Sequence, residues 1–293
     1  MRVDFLTVVF ADEIPYIQTQ AESMDRYVPA DSESIFYVIV NDHDRVADLI
    51  DKNWWGVHSA NVRIVCRSFW NCEINLESEG WGGWYSQQVL KLRGTTLSDS
   101  KWCLVLDAKT WFVKDFVKET YFDTEGRVFV KPSQPIKPCF RDAGDILSLS
   151  LRMPVNTVIF PGGVPFWFHT KTVKELFIQF ESIFMSPYQM FWYVNRRFIT
   201  EFILYSAFVQ YMYDGVDKLY HESNSTYLCS YNMCHSSDGV FIPSLIKTLN
   251  PSTIGIHRKI VPQMSESDLN QVIFFMREQG LTFRPPTGIH TSV

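Results

Sequence analysis

Apolar positions along the chain fall into short unbroken runs, separated by stretches in which apolar residues recur every three or four positions. The first run, Val3–Phe10, turns polar at Ala11, Asp12 and Glu13 and gives way to a helical stretch over Ile14–Tyr27. A second run, Ser34–Asn41, contains the segment FYVIV and stops at Asn41 and Asp42. A short acidic and apolar helix over Asp44–Asp51 then leads to a weaker strand over Asn61–Arg67. Strands that alternate with helices predict a mostly parallel sheet covered by helices on both faces, and fully apolar strands fit burial on both faces.

Between Gly82 and Ser98 the period changes: Trp84, Val89, Leu90, Leu92 and Leu97 are spaced for one face of a helix. The apolar strand that follows, Lys101–Lys109, ends abruptly on Asp107. Ligands of open α/β sheets sit beyond the carboxyl ends of the strands, so Asp107 and Lys109 fall where chemistry is usually placed. A proline-rich stretch over Lys131–Pro138 reads as a loop over one sheet edge. Farther on, Thr157–Thr170 reads as two short strands around a Gly-Gly turn, and helices are expected over Lys171–Phe184 and Thr200–Tyr213. A last strand is expected over Ser252–Val261, and a last helix over Ser265–Gln279 has a serine at its start and Gly280 at its end. No composition break or repeat divides the chain, so it reads as a single α/β domain, 1–293, with a first half to residue 131 and an elaborated second half from 132.

The composition adds limits. With 293 residues, 46% hydrophobic and 15% aromatic, at a net charge of −5, the chain has enough apolar surface for a large core and is not mainly disordered. A balance of 27 basic against 32 acidic residues provides no field for polyanions, which argues against a nucleic-acid partner. No apolar run reaches the roughly 18 residues of a membrane span, and the first apolar run is too short for a signal peptide, so the chain reads as cytoplasmic. Its six cysteines form no CxxC pair and read as reduced core thiols.

The strongest local signal is Leu106-Asp107-Ala108-Lys109-Thr110. A carboxylate just past a buried strand can hold a ribose hydroxyl or a divalent ion beside a diphosphate, or simply cap the next turn. On the preceding helix, Gln87, Gln88 and Lys91 suit a sugar or phosphate ligand, or a solvated surface. The aromatic segment Pro187–Phe198, with Tyr188, Phe191, Trp192, Tyr193, Arg196 and Arg197, suits an acceptor sugar, a core or a dimer surface.

Taken together, the polar turn at Phe10-Ala11-Asp12, the strand ending Asn41-Asp42, the GWYSQQVLKL helix and CLVLDAKTWF resemble the GT-A-fold, nucleotide-sugar-dependent glycosyltransferases. The similarity is greatest to a bacterial and viral branch in which a Gly-Trp-Tyr, Gln-Gln, Lys-Leu helix precedes Leu-Asp-x-Asp-Thr, and it continues at Thr200–Phe208 and Gly255–Lys259. The resemblance implies a GT-A (Rossmann-like) fold and transfer of a sugar from a UDP- or GDP-sugar donor to a hydroxyl on a glycan, lipid-linked sugar or protein. Phe10, Ala11 and Asp42 would form the nucleoside pocket, with Gln88, Lys91 and Ala108 beside the donor. Asp107 matches the first Asp of the DxD motif, as ribose or metal contact. His257 is similar to a histidine on the metal or diphosphate, with Arg258 and Lys259 as phosphate partners, and Gly162 and Gly163 resemble a turn that admits the donor sugar. Glu201 is the expected base, with Asp142, Asp145 and His169 as weaker choices.

The departure is Lys109, which stands where the second Asp of DxD belongs. An ammonium there removes oxygen ligands and repels a divalent cation. The expectation is that Mn²⁺ or Mg²⁺ binds weakly and that Lys109 itself neutralises the donor diphosphate. Two other readings compete. One is a noncatalytic nucleotide-sugar or glycan-binding protein with a degraded motif. The other is a haloacid-dehalogenase-like phosphatase, whose second Asp Lys109 also removes.

Overall fold

The computed structural model of the chain describes residues 1–70, 82–130, 164–183, 200–223, 240–244, 246 and 250–285. Its centre is a five-stranded sheet. Strand β1 (Val3–Val9) is buried at every position and pairs in parallel with β2 (Phe36–Val40) on one side and with β4 (Trp102–Asp107) on the other. Beyond β2 lies β3 (Val62–Cys66), also parallel. Beyond β4 lies β7 (Phe166–His169), antiparallel, so the order is β3-β2-β1-β4-β7. This is the mixed α/β architecture with a mostly parallel sheet that the apolar runs predict.

Alternate residues of a strand face opposite sides of the sheet, and both sides are covered. On one side Phe5 stacks on Phe36 with ring centres 5.1 Å apart, and Phe112, Phe116 and His58 pack around the pair. Helix α1 (Ile14–Tyr27) crosses that side, with Trp111 Nε1 donating to Tyr16 O. On the other side, Leu6 and Ile39 meet helix α2 (Gly82–Thr95) at Gly94. A Cβ at Gly94 would overlap Leu6 Cδ1 and come within 3.1 Å of Ile39 Cγ1, so helix and sheet approach as closely as they do only because no side chain intervenes.

The remaining elements are short. Strand β5 (Thr110–Phe112) pairs antiparallel with β9 (Thr253–Gly255), and β6 (Val128–Val130) pairs in parallel with β8 (Tyr220–Glu222). Helices α3 (Lys118–Tyr121), α4 (Thr170–Ile183), α5 (Glu201–Tyr213) and α6 (Glu266–Glu278) complete the described chain. Thr200 caps α5 by accepting from Ile203 N, and Ser265 caps α6 by accepting from Asp268 N.

Three expectations change. The last strand covers only Thr253–Gly255, because its partner β5 is itself three residues long and the polar His257-Arg258-Lys259 segment turns away, closed by Ile260 N donating to His257 O. The helix before β4 stops at Thr95, and Leu97 and Ser98 continue as turns. A 3₁₀ segment over Lys52–Asn61, kinked at Gly56, buries Trp55 and His58 where a plain connection was expected. The proline-rich loop and the first of the two strands around the Gly-Gly turn lie outside the described residues. Cys66 and Cys103 are free thiols. Among the described residues no helix is long and apolar enough to cross a membrane.

The close approach at Gly94 generates a prediction. Gly94→Ala, which elsewhere would gain about 1 kcal/mol of helix propensity, is expected to cost about 1–3 kcal/mol through overpacking. Urea unfolding checks this, and a variant as stable as the parent would contradict the packing.

Candidate functional site

The carboxyl ends of β1, β2 and β4 converge on one edge of the sheet, and a chain of charges crosses it. Asp107, the last residue of β4, places Oδ2 2.8 Å from Lys109 Nζ and Oδ1 3.1 Å from Lys91 Nζ. Lys91, on α2, also lies 3.1 Å from Glu201 Oε1 at the start of α5. On the other flank Lys109 Nζ is 3.9 Å from Glu13 Oε1, and that same oxygen is 3.8 Å from Arg258 Nη1. Arg258 pairs in addition with Asp12 Oδ1 and lies over the Phe10 ring, 5.4 Å from its centre.

The floor of this cluster is dry. Glu13 and Glu201 are 2% exposed, Lys91 5% and Lys109 7%, while Asp12, Phe10 and Arg258 form a more open rim. Burial pushes the Asp107 carboxyl up, but Lys109 and Lys91 outweigh it and hold Asp107 well below the usual carboxylate range. Burial likewise works against the Lys91 charge, and the two carboxylates facing it raise it overall. For Glu201 burial prevails over the opposing Lys91 charge and its carboxyl is raised. Glu13 is raised for the same reason, with Lys109 opposing. His257 is lowered to about 4 by burial and by the cations Lys109, Arg258 and Lys259, so it stays neutral near pH 7.

The loop that carries Asp107 and Lys109 is held from behind by one buried amide. Gln20 Nε2, on α1, donates to Asp107 O and Thr110 O at 2.7 Å each, and Gln20 Oε1 accepts from Thr7 Oγ1 at 2.6 Å. A three-way clamp of this kind fixes the turn between β4 and β5 relative to β1, and so fixes where the Asp107 and Lys109 side chains start.

Most of the expected residues therefore meet. Asp107, Ala108, Lys109, Lys91 and Glu201 are in one cluster, and Arg258 joins it to Phe10. Asp42 belongs to the rim, where Oδ2 accepts from Ala11 N at 3.2 Å. Gln88 lies one turn before Lys91 and is buried, and among the described residues neither its amide nitrogen nor its amide oxygen has a hydrogen-bond partner. Lys259 is exposed, and its backbone N–H donates to His257 Nδ1 at 3.2 Å. His169, a weaker choice, sits instead against Trp102 at the antiparallel edge, with Nδ1 2.8 Å from Thr172 Oγ1. Gly162, Gly163, Asp142, Asp145 and the aromatic segment 187–198 lie outside the described residues.

Glu201, expected as a base, is buried, with Oε1 3.1 Å from Lys91 Nζ. A resident divalent ion at Asp107 and His257 is disfavoured by the donor set. Both Asp107 oxygens face ammonium groups, and among the described residues no three His, Cys, Asp or Glu side chains converge on a common point.

Two residues beside this cluster, Glu13 and Gln20, were not singled out from sequence. For Glu13 the available signal was its place three residues after Phe10, whose N–H it accepts at 3.3 Å as the carboxylate of a helix start. For Gln20 it was the polar seam Thr19, Gln20 and Ser23 on a buried helix face.

A mostly parallel sheet whose carboxyl edge carries alternating charges defines an α/β protein with charged side chains gathered at the strand ends. Residues 6–252 match a family described as a family of unknown function, DUF6492, and the chain belongs to that family. No curated protein matches it. Among solved structures it is similar to the galactosyltransferase LgtC in complex with donor and acceptor sugar analogues, at 14% identity and a TM-score of 0.48, over 96% of this chain and 97% of that one. It is also similar to the bifunctional glycosyltransferase WbbM, at 12% identity and 0.41, over 87% of this chain and 45% of that one. Mouse xyloside xylosyltransferase 1 resembles it at 8% identity and 0.41, over 78% and 86%. Likenesses of this size leave the reading of the site to its own residues.

The charge cluster predicts a stability pattern. Lys91→Met leaves the buried Glu201 and the half-buried Asp107 without their shared cation and is expected to cost about 3–5 kcal/mol. Because Asp107 is lowered in the native state, its ion pairs stabilise above its unfolded value of about 3.9 and are lost as pH falls toward the native value. Lys91→Met should therefore also flatten the acid limb of a stability-against-pH curve. Parent-like stability in denaturant at pH 7 would contradict this account of the cluster.

Proposed function

We propose that the chain is a GT-A glycosyltransferase that moves a sugar from a UDP- or GDP-sugar to a hydroxyl on a glycan, lipid-linked sugar or protein. The observation that carries this reading is Asp107, kept ionised at the carboxyl end of β4 between two lysines, on the edge where β1 and β2 also end. The turn Phe10-Ala11 and Asp42 would receive the nucleoside, and Asp107 its ribose hydroxyls. The donor half is then residues 1–131 and the acceptor side 132–293. The sequence resemblance to DxD transferases supports the same placement.

In this reading Lys109 and Arg258 supply the positive charge at the donor diphosphate. As the bond between the sugar and the diphosphate breaks, negative charge grows on the leaving phosphate oxygen, and fixed cations in a dry site stabilise it with little reorganisation. His257, neutral near pH 7, can donate or accept a hydrogen bond beside them. Lys91, held by Glu201, keeps Asp107 ionised and in place. The Lys109 substitution also favours one second reading: a binding protein that holds the donor without turning it over.

Thermal shift with UDP- and GDP-sugars in EDTA, followed by assay of slow nucleotide release, tests both. At a hundredfold excess over Kd, a bound donor is expected to add about 2.7 kcal/mol of stability, and Asp107→Asn to lose both the shift and the release. A shift without any release would select the binding protein, and no shift with any nucleotide sugar would overturn the donor reading.

A further inference from the structure

Glu13 occupies an unusual position for a buried carboxylate. One oxygen, Oε2, caps the helix start by accepting from Phe10 N, while the other, Oε1, lies between Lys109 Nζ at 3.9 Å and Arg258 Nη1 at 3.8 Å. Neither contact is a tight hydrogen bond, so the carboxylate sits between two cations at ion-pair range without being locked to either. Asp12, on the rim, holds the outer side of Arg258. Lys109 and Arg258 come from different elements, the β4–β5 turn and the turn after β9, and among the described residues this carboxylate is at ion-pair range of both.

Lys109, 7% exposed, and the half-buried Arg258 repel each other unless an anion lies between them. Extending the donor reading above, we infer that Glu13 is an internal stand-in for the ligand anion: it neutralises Lys109 and Arg258 while the site is empty and competes with a diphosphate for the same two cations. Asp12 plays the same part for Arg258 at the surface. The site is thus built for a compact polyanion of the pyrophosphate class, and its affinity is set by how readily Arg258 and Lys109 exchange a carboxylate for phosphate oxygens. Burial, which already raises the Glu13 carboxyl, makes its charge costly to keep when a second anion arrives.

The stand-in role has a sign that a purely structural role lacks. Glu13→Gln should lower the melting temperature of the ligand-free protein, because Lys109 and Arg258 lose the counter-charge they share, yet bind inorganic pyrophosphate about tenfold more tightly, the effect of relieving roughly 1.4 kcal/mol of like-charge competition. Pyrophosphate should also restore more of the lost thermal stability than it adds to the parent. Asp12→Asn changes an exposed residue and tests the idea without risk to folding: about two- to threefold tighter binding at an unchanged melting temperature is expected. Calorimetry with pyrophosphate in EDTA reads all of these. Weaker or unchanged affinity in Glu13→Gln, unchanged affinity in Asp12→Asn, or no binding to any form overturns the inference. Pyrophosphate carries neither nucleoside nor sugar, so tightening in these variants without any nucleotide-sugar binding would uphold the stand-in role and defeat the donor reading alone.

Discussion

A carboxylate held mostly out of water at the end of a central strand needs compensation, and the way Asp107, 15% exposed, obtains it organises the site. Each of its oxygens faces a different lysine, one from helix α2 and one from two residues downstream. Each lysine in turn draws in a further carboxylate, Glu201 on α5 or Glu13 at the start of α1. Removing one charge from such a chain exposes its neighbours, so α1, α2, α5 and the β4–β5 turn are tied together electrostatically as well as by packing. The backbone of the same turn is held independently by Gln20, which keeps the charges in register with β1.

That arrangement explains how a lysine can stand at a position where the sequence resemblance leads one to expect an aspartate. Lys109 is accommodated because Asp107 and Glu13 lie on either side of it, and its ammonium occupies the space beside Asp107 in which a cation would otherwise be held. The charge at the edge of the sheet is then supplied by side chains, with Arg258 reaching in from the turn after β9 and resting on Phe10. Gln88, buried on α2 one turn before Lys91, has both amide atoms without a hydrogen-bond partner among the described residues.

Much of the framework was legible in the sequence, and for identifiable reasons. The buried parallel strands are continuous apolar runs, and α1, α5 and α6 carry start signals at Pro15, Thr200 and Ser265 that act locally. Asp107 stood out because a charge ends an otherwise apolar strand. What was not legible depends on partners distant in the chain. The three-residue strands β5 and β9 exist only because they pair across well over a hundred residues, a partnership that no local pattern announces. Trp55 lies in a segment without a regular period, so its burial under α1 had no pattern to announce it. Glu13 reads locally as a helix-start carboxylate, and only the fold shows that it faces Lys109 and Arg258. Glu201 was found, but its direction was not: the cation that engages it lies on another helix.

The central claim is that Lys109 takes the electrostatic place of a metal ion at the donor diphosphate. Isothermal titration of UDP and GDP into the parent chain and into Lys109→Asp, each in EDTA and again in Mn²⁺, tests it most directly. The account predicts that the parent binds one of these nucleotides equally well in both buffers, whereas Lys109→Asp binds it only when Mn²⁺ is present. Tight binding by the parent that appears only with Mn²⁺ would contradict it.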